Sequence, residues 1–228
     1  PGRRERPGSR TMSRRPFHRA GEAERRQDLI TATLDCISDF GLQGATVRQI
    51  AARAGVTGGL IRHYFTGKEQ MLQAAYREVM MTIGTTAINA AEAAGSDPRR
   101  RLHDFVIANV SPPIIDPRTL SLWAAFISHV RVDPEFARIH RENYLTFLGS
   151  LEELLTAFLA ANDRPIAPAE CRKLAIAING LIDGLWLEGS LAGDLFDDQA
   201  LPRIALESVE SLLGGLKLSG PDRPNDTN

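Results

Sequence analysis

Two cysteines in 228 residues, Cys36 and Cys171, are too few and too far apart for a disulfide scaffold or a zinc site. Aromatic residues make up only 6 % of the chain. No apolar run approaches the about 20 residues that span a bilayer. The N-terminal stretch offers arginines in place of the apolar core of a signal peptide. Nothing alternates with the period of a strand, and nothing repeats at a fixed interval. HExxH, G-x-S-x-G and GxxxxGK[ST] are all missing. The five histidines, at 18, 63, 103, 129 and 140, show no metal spacing. His140 and Glu142 are two apart and so lie on different helix faces. These absences argue against an enzyme, a cofactor, a metal site and a membrane partner. They suggest a protein of a reducing cytoplasm.

Acids and bases nearly balance over the whole chain, but not locally. Residues 1–65 hold 12 arginines and no lysine against 6 acids, whereas the remainder holds 15 basic residues against 22 acids. A basic front on an acidic body suggests an anionic partner for the front, or only a solvated arginine tail. Seven of those arginines precede residue 20, in a segment rich in Pro, Gly and Ser that reads as disordered. Met12 within it is a candidate start residue.

From Glu22 onward the pattern is helical. Leu29, Ile30, Leu34, Ile37 and Phe40 recur at spacings of three and four, and Gly41 follows as a stop signal. Thr46, three residues before Gln49, opens a second helix with a capping box, and Gly55 ends it. Thr57 caps a very short third helix to about Tyr64, and Lys68 begins a longer one. Asp97, Pro117 and Asp133–Pro134 open further helices, with Pro112–Pro113 as a stop between the first two. Residues 168–191 are apolar on nearly all sides, and a last helix covers about 198–214. The expected fold is all-α. It comprises a disordered basic segment 1–20, a three-helix helix-turn-helix domain 21–67, a larger helical domain 68–214 and a disordered tail 215–228.

The stretch GVTGGLIRHYF, residues 55–65, carries the functional signal. Two short helices that cross steeply need a small residue on the first, a glycine in the turn and a branched apolar residue on the second. Ala51, Gly55 and Ile61 meet those needs. A recognition helix brings its N-terminal residues against base edges in the major groove. Gly58 and Gly59 remove side chains there and, with Thr57, offer N–H and hydroxyl groups to phosphates or bases. Alternatively, they merely permit the turn. Arg62 is placed to read guanine bidentately or to contact a phosphate. His63, Tyr64 and Lys68 are further phosphate candidates, although Tyr64 is equally a half-core residue and Lys68 equally a solvated lysine. Thr46 and Arg48 stand where they would touch the backbone on the other side.

These residues resemble a known family. Thr46-Val47-x-x-Ile50-Ala51-x-x-Ala54-Gly55-Val56-Thr57, then Leu60-Ile61-Arg62-His63-Tyr64-Phe65, then Lys68 and Leu72, are similar to the DNA-binding domain of TetR-family regulators. Arg62 departs from that pattern, since most members have an aromatic residue there. The resemblance implies an all-helical homodimer, each subunit reading half of a palindrome in double-stranded DNA. It also implies a C-terminal ligand site whose occupation changes the distance between the reading heads. Leu181-Ile182-Asp183-Gly184-Leu185-Trp186-Leu187 and Leu122-Trp123-Ala124-Ala125-Phe126 resemble stretches of the betaine/choline-responsive repressors. That narrower resemblance implies a choline-related effector.

An effector pocket in a helical bundle is mostly apolar with a few polar anchors. The candidates are Phe105, Trp123, Phe126, His129, Tyr144, Phe147, Asn179, Asp183 and Trp186, each of which is otherwise an ordinary core or helix–helix residue. Aromatic faces with the Asp183 carboxylate would suit a quaternary ammonium. Helices 168–191 and 198–214 are the expected dimer surface, because a helix apolar nearly all round needs cover on more than one side. A non-choline apolar effector, and a DNA-binding protein without any effector, remain as alternative readings.

Overall fold

The computed structural model describes residues 21–197 and 199–219. The basic segment 1–20 and residues 220–228 of the expected tail lie outside the described residues. Among the described residues, nine α-helices run in chain order: α1 Glu22–Gly44, α2 Val47–Ala54, α3 Gly58–Tyr64, α4 Lys68–Ala93, α5 Pro98–Asn109, α6 Pro117–Ile127, α7 Pro134–Ala161, α8 Pro168–Leu191 and α9 Ala200–Leu212. Short 3₁₀ turns lie at Ser128–Arg131 and Gly193–Leu195, and no strand occurs among the described residues.

Local chemistry sets most of the helix starts. Thr46 Oγ1 accepts the Gln49 N–H, and the Gln49 side chain accepts the Thr46 N–H in return, so both orphan donors are met. Asp97, Asp116 and Asp133 each cap a helix whose first residue is proline, where the missing N–H costs nothing. Gly55 ends α2 in the left-handed region at φ 65°, a conformation that favours glycine. Gly41 breaks α1 at φ 70° as expected, and one more turn follows it to Gly44. The last helix is shorter than expected at both ends, covering 200–212.

Two apolar cores follow. The first joins Leu29, Ile30, Cys36 and Ile37 of α1 to Ile50, Ala51, Ile61 and Phe65, and continues into Met71, Tyr76 and Val79 of α4. It also takes in Leu122, Phe126, Phe136 and Ile139, so the N-terminal core does not close at Gly67 but is shared with α6 and α7. The second core is built from α4, α5, α7, α8 and α9 around Phe105, Leu151, Phe158, Ile178 and Val209. Exposed ion pairs also cross the junction: Arg118 of α6 pairs with Asp35 of α1, and Arg77 of α4 reaches Glu135 and Glu142 of α7.

Two expectations need correction. Phe40 is 51 % exposed and not on the buried face. The apolar period runs past the point where α1 still faces a neighbour, and the ring lies under the Arg53 guanidinium at 5.9 Å instead. In addition, α7 and α8 are long and apolar enough to cross a membrane, with mean hydropathy 1.3, where no such run was expected. Glu152, Glu153, Asp183 and Glu188 interrupt them, and both helices pack into the second core.

Candidate functional site

The first candidate surface is built on α2 and α3. Buried Ala51 and Ile61 let the two helices cross closely, which fixes α3 against the first core. Thr57 caps α3 by accepting the Leu60 N–H. The N–H groups of Gly58 and Gly59, first in the helix, have no intrahelical acceptor. A Cβ added at Gly58 would meet nothing within 4 Å, and one at Gly59 only Thr57 Oγ1 at 3.7 Å. Neither glycine adopts a positive φ. The fold itself therefore does not require glycine at either position.

Around this bare helix start stand the expected side chains. Arg48 and Arg62 are exposed and make no ion pair among the described residues. His63 is exposed, packs edge-on against the half-buried Tyr64 at 5.0 Å and lies 3.9 Å from Glu22. Thr46 is exposed and already occupied by its capping box. Lys68 behaves differently, because its Nζ donates to the Leu42 carbonyl at 3.2 Å and approaches that of Gln43 at 3.5 Å. Its charge therefore meets the C-terminal carbonyls of α1 and ties α4 to α1. Arg53 pairs with Asp39, and Arg26 stacks over Phe65 at 5.1 Å, so these two bases are engaged by the fold.

The second candidate is a cavity of about 340 Å³ enclosed by α4, α5, α6, α7 and α8. Six of the nine residues expected to bind a ligand line it: Trp123, Tyr144, Phe147, Asn179, Asp183 and Trp186. The two indoles meet edge to face at 5.4 Å, and Trp186 Nε1 donates to the Ile114 carbonyl at 2.9 Å, which fixes its ring. Asp183 stays open to solvent at the mouth, yet burial of its carboxyl raises its pKa above the ordinary value, and the Asn179 amide, donating at 2.9 Å, offsets part of that rise. The remaining lining includes Met80, Ile83 and Gly84 of α4, Asn109 of α5, and His140 and Asn143 of α7, but no lysine or arginine. Burial lowers the pKa of His140, keeping the imidazole neutral at pH 7.

The other three expected residues are elsewhere. Phe105 is fully buried behind Phe147, with ring centroids 5.1 Å apart. Phe126 turns away from the cavity into the first core, against Tyr76 and Phe136. His129 sits on the 3₁₀ turn after α6, against the Phe136 ring at 5.5 Å. The sequence did contain a signal for the residues missed: His140, Asn143, Tyr144 and Phe147 follow one helical stripe, as do Asn179, Ile182, Asp183, Trp186 and Leu187.

A larger hollow of about 910 Å³ opens between α5 and α9. Among the described residues its wall mixes His103, Asp197, Arg203, Glu207 and Glu210 with one phenyl ring, Phe196. The smaller aromatic cavity has the convergent chemistry of a ligand site.

The third surface is a stripe on α8 and α9. Ile176, Leu187, Ile204 and Leu212 are exposed there at 48, 37, 38 and 45 %. Gly180 and Gly184 lie between the first two, and a Cβ at either would meet nothing within 4 Å. This stripe borders the cavity mouth at Asp183 and Leu187.

Residues 29–75 match the family model for bacterial regulatory proteins of the tetR family, and residues 98–214 match that for the C-terminal domain of BetI-type transcriptional repressors. An HTH-type transcriptional regulator BetI of Burkholderia thailandensis is 34 % identical over 189 residues, covering 83 % of this chain and 93 % of that protein. Its counterpart in Burkholderia cenocepacia is 33 % identical over the same length, 83 % of this chain and 94 % of that one. A transcriptional regulator of Pseudomonas aeruginosa has a solved structure with a TM-score of 0.75 at 32 % identity, covering 88 % of this chain and 93 % of its own. A regulator of Saccharomonospora viridis, solved in complex with choline, shares the fold at a TM-score of 0.68 and 16 % identity, covering 83 % and 97 %.

Proposed function

Because the chain belongs to the TetR family of bacterial regulatory proteins and carries the C-terminal domain of its BetI-type transcriptional repressors, we propose that it is a dimeric repressor released from its operator by a small quaternary ammonium cation. The observation that carries this reading is the wall of the cavity. Met80, Ile83 and Gly84 belong to α4, the same helix whose first turns belong to the core of the reading head. A ligand in the cavity therefore presses on the element that positions α2 and α3.

Without ligand, two copies place their α3 helices in successive major grooves of a palindromic double-stranded operator. Gly58 and Gly59 bring backbone N–H groups close to the DNA. Arg62 reads a base edge, and Arg48, Thr57, His63 and Tyr64 frame the contact with the phosphate backbone, while Thr46 and Lys68, held by the α2 cap and the α1 carbonyls, fix the frame from behind. The copies join through the exposed stripes of α8 and α9 in an isologous four-helix interface, with Gly180 and Gly184 allowing close approach. A repressor of this kind works where the chromosome is, in the bacterial cytoplasm.

The chemistry of the cavity selects the effector. Trp123, Tyr144, Phe147 and Trp186 offer aromatic faces, a cation–π contact adding about 0.5–2 kcal/mol each. Asp183 supplies a carboxylate, and the lining has no cationic side chain to receive an acid group. Choline and betaine aldehyde, which are cations without a carboxylate, satisfy it better than zwitterionic glycine betaine. The choline complex of the Saccharomonospora viridis regulator supports the same class of ligand for this fold.

Both tryptophans of the chain line the cavity, so intrinsic fluorescence reports its occupation. Choline is expected to change that emission saturably, and glycine betaine only at much higher concentration. A signal indifferent to every quaternary ammonium but responsive to apolar molecules would replace the choline class with an apolar effector.

A further inference from the structure

We propose that the pair formed by buried Tyr76 and half-buried His140 is the link through which the cavity acts on the reading head. The proposal rests on the effector reading of the cavity given above. Tyr76 lies on α4, one turn before Met80 and two before Ile83, so it shares the face that reaches the cavity. Its ring is fully buried in the first core, stacked near Phe126 at 5.2 Å and Phe136 at 5.4 Å. Its hydroxyl meets Nδ1 of His140 on α7 at 3.0 Å.

His140 has two faces. Nδ1 belongs to Tyr76, while the ring lines the cavity and its other nitrogen, Nε2, has no protein hydrogen-bond partner among the described residues. Burial holds the imidazole neutral and pushes the Tyr76 phenol up to about 12, so the bond joins two uncharged groups. In either tautomer Nε2 takes the role opposite to Nδ1, and a polar ligand group can engage it.

A buried phenol hydroxyl needs its partner. The ion pairs from Arg77 to Glu135 and Glu142 are solvent-exposed and hold little, and the contacts of Glu69 and Gln73 with Asp133 lie at the N-terminal cap of α7, away from the cavity wall. An occupant that draws or pushes the His140 ring leaves the Tyr76 hydroxyl unpaired. A shift of α4 against α7 relieves that penalty and carries α2 and α3 with it. Removing the hydroxyl should therefore uncouple the two sites while leaving each of them intact.

A double-mutant cycle on operator affinity tests this without any ligand. His140→Leu strands the hydroxyl and is expected to weaken operator binding at least about fivefold, the lower end of ordinary allosteric couplings. His140→Gln, whose amide can meet the hydroxyl, should bind as wild type does. The double variant Tyr76→Phe/His140→Leu should recover wild-type affinity within about twofold. Tyr76→Phe alone should bind operator and choline normally, yet lose the release of operator by choline. Thermal melts establish that each variant is folded, and the Tyr76→Phe arm stands by itself if His140→Leu does not fold. Unchanged operator binding in His140→Leu, a double variant as weak as His140→Leu, or normal release in Tyr76→Phe would each overturn the proposal. A wild-type protein indifferent to choline would overturn the effector reading instead, and the ligand-free cycle would still decide the link.

Discussion

Replacing Gly58 or Gly59 by alanine separates the needs of the fold from the needs of the interface. Both residues are in the first turn of α3, at φ values that any residue adopts; a Cβ would project into open space at Gly58 and make an ordinary contact with Thr57 Oγ1 at Gly59. Alanine at a helical glycine position stabilises by roughly 0.5–1 kcal/mol, chiefly because the unfolded chain has less freedom to lose. For a chain of this length each kcal/mol raises Tm by about 2–4 °C. At the DNA the added methyl groups do the reverse, since they hold the helix start away from the groove. If that removes one close contact per half-site, each half-site loses about 1–3 kcal/mol, so the dimer loses about 2–6 kcal/mol, more than tenfold in affinity. Calorimetric or dichroism melts and fluorescence anisotropy on a labelled operator measure the two effects on the same preparation. The expected result is a variant that melts at or above the wild-type temperature and binds DNA more than tenfold less tightly. Wild-type operator affinity would leave the glycine pair as a permissive turn with no part in the interface.

Three further outcomes follow from the same geometry. Arg62→Ala should cost about 1–3 kcal/mol of operator binding and relax preference at one base position, as selection from randomised operators reads out; a uniform loss across sequences would make Arg62 a phosphate contact. Asp183 has a raised pKa in the free protein and binds a cation only as the carboxylate, so choline affinity should be full above that pKa and fall as pH drops through it. Asp183→Asn should weaken binding and flatten that dependence in a fluorescence titration. Ile176→Lys on the α8 stripe, exposed in the single chain, should leave the fold intact but shift sedimentation from dimer to monomer, and an undisturbed dimer would place the interface elsewhere.

What could be read from the sequence was what is fixed locally. The capping box at Thr46, the left-handed Gly55 and the three Asp-Pro helix starts depend on neighbours within four residues, and each falls where the pattern placed it. Phe40 was misplaced because periodicity records which face of a helix is apolar, not where the neighbouring helix ends. The cavity was legible only in part. Tyr144, Phe147, Asp183 and Trp186 announced themselves by residue type, whereas Gly84 and Ile83 contribute by position on α4 and carry no chemical signature. Phe105, Phe126 and His129 are of the right type, but turn toward other helices, a fact of tertiary packing that one chain's periodicity does not encode. The dual role of His140 likewise arises from the meeting of α4 and α7, which lie 64 residues apart at that bond.

If a ligand in the aromatic cavity controls DNA binding by α3, operator affinity must depend on that ligand. The most direct measurement is the Kd of the purified protein for the intergenic DNA beside its own gene, at one fixed salt concentration, with and without saturating choline, betaine aldehyde or glycine betaine. Specific binding is expected, weakened about 5–150-fold by choline or betaine aldehyde and far less by glycine betaine. Specific binding that none of the three alters would contradict such control.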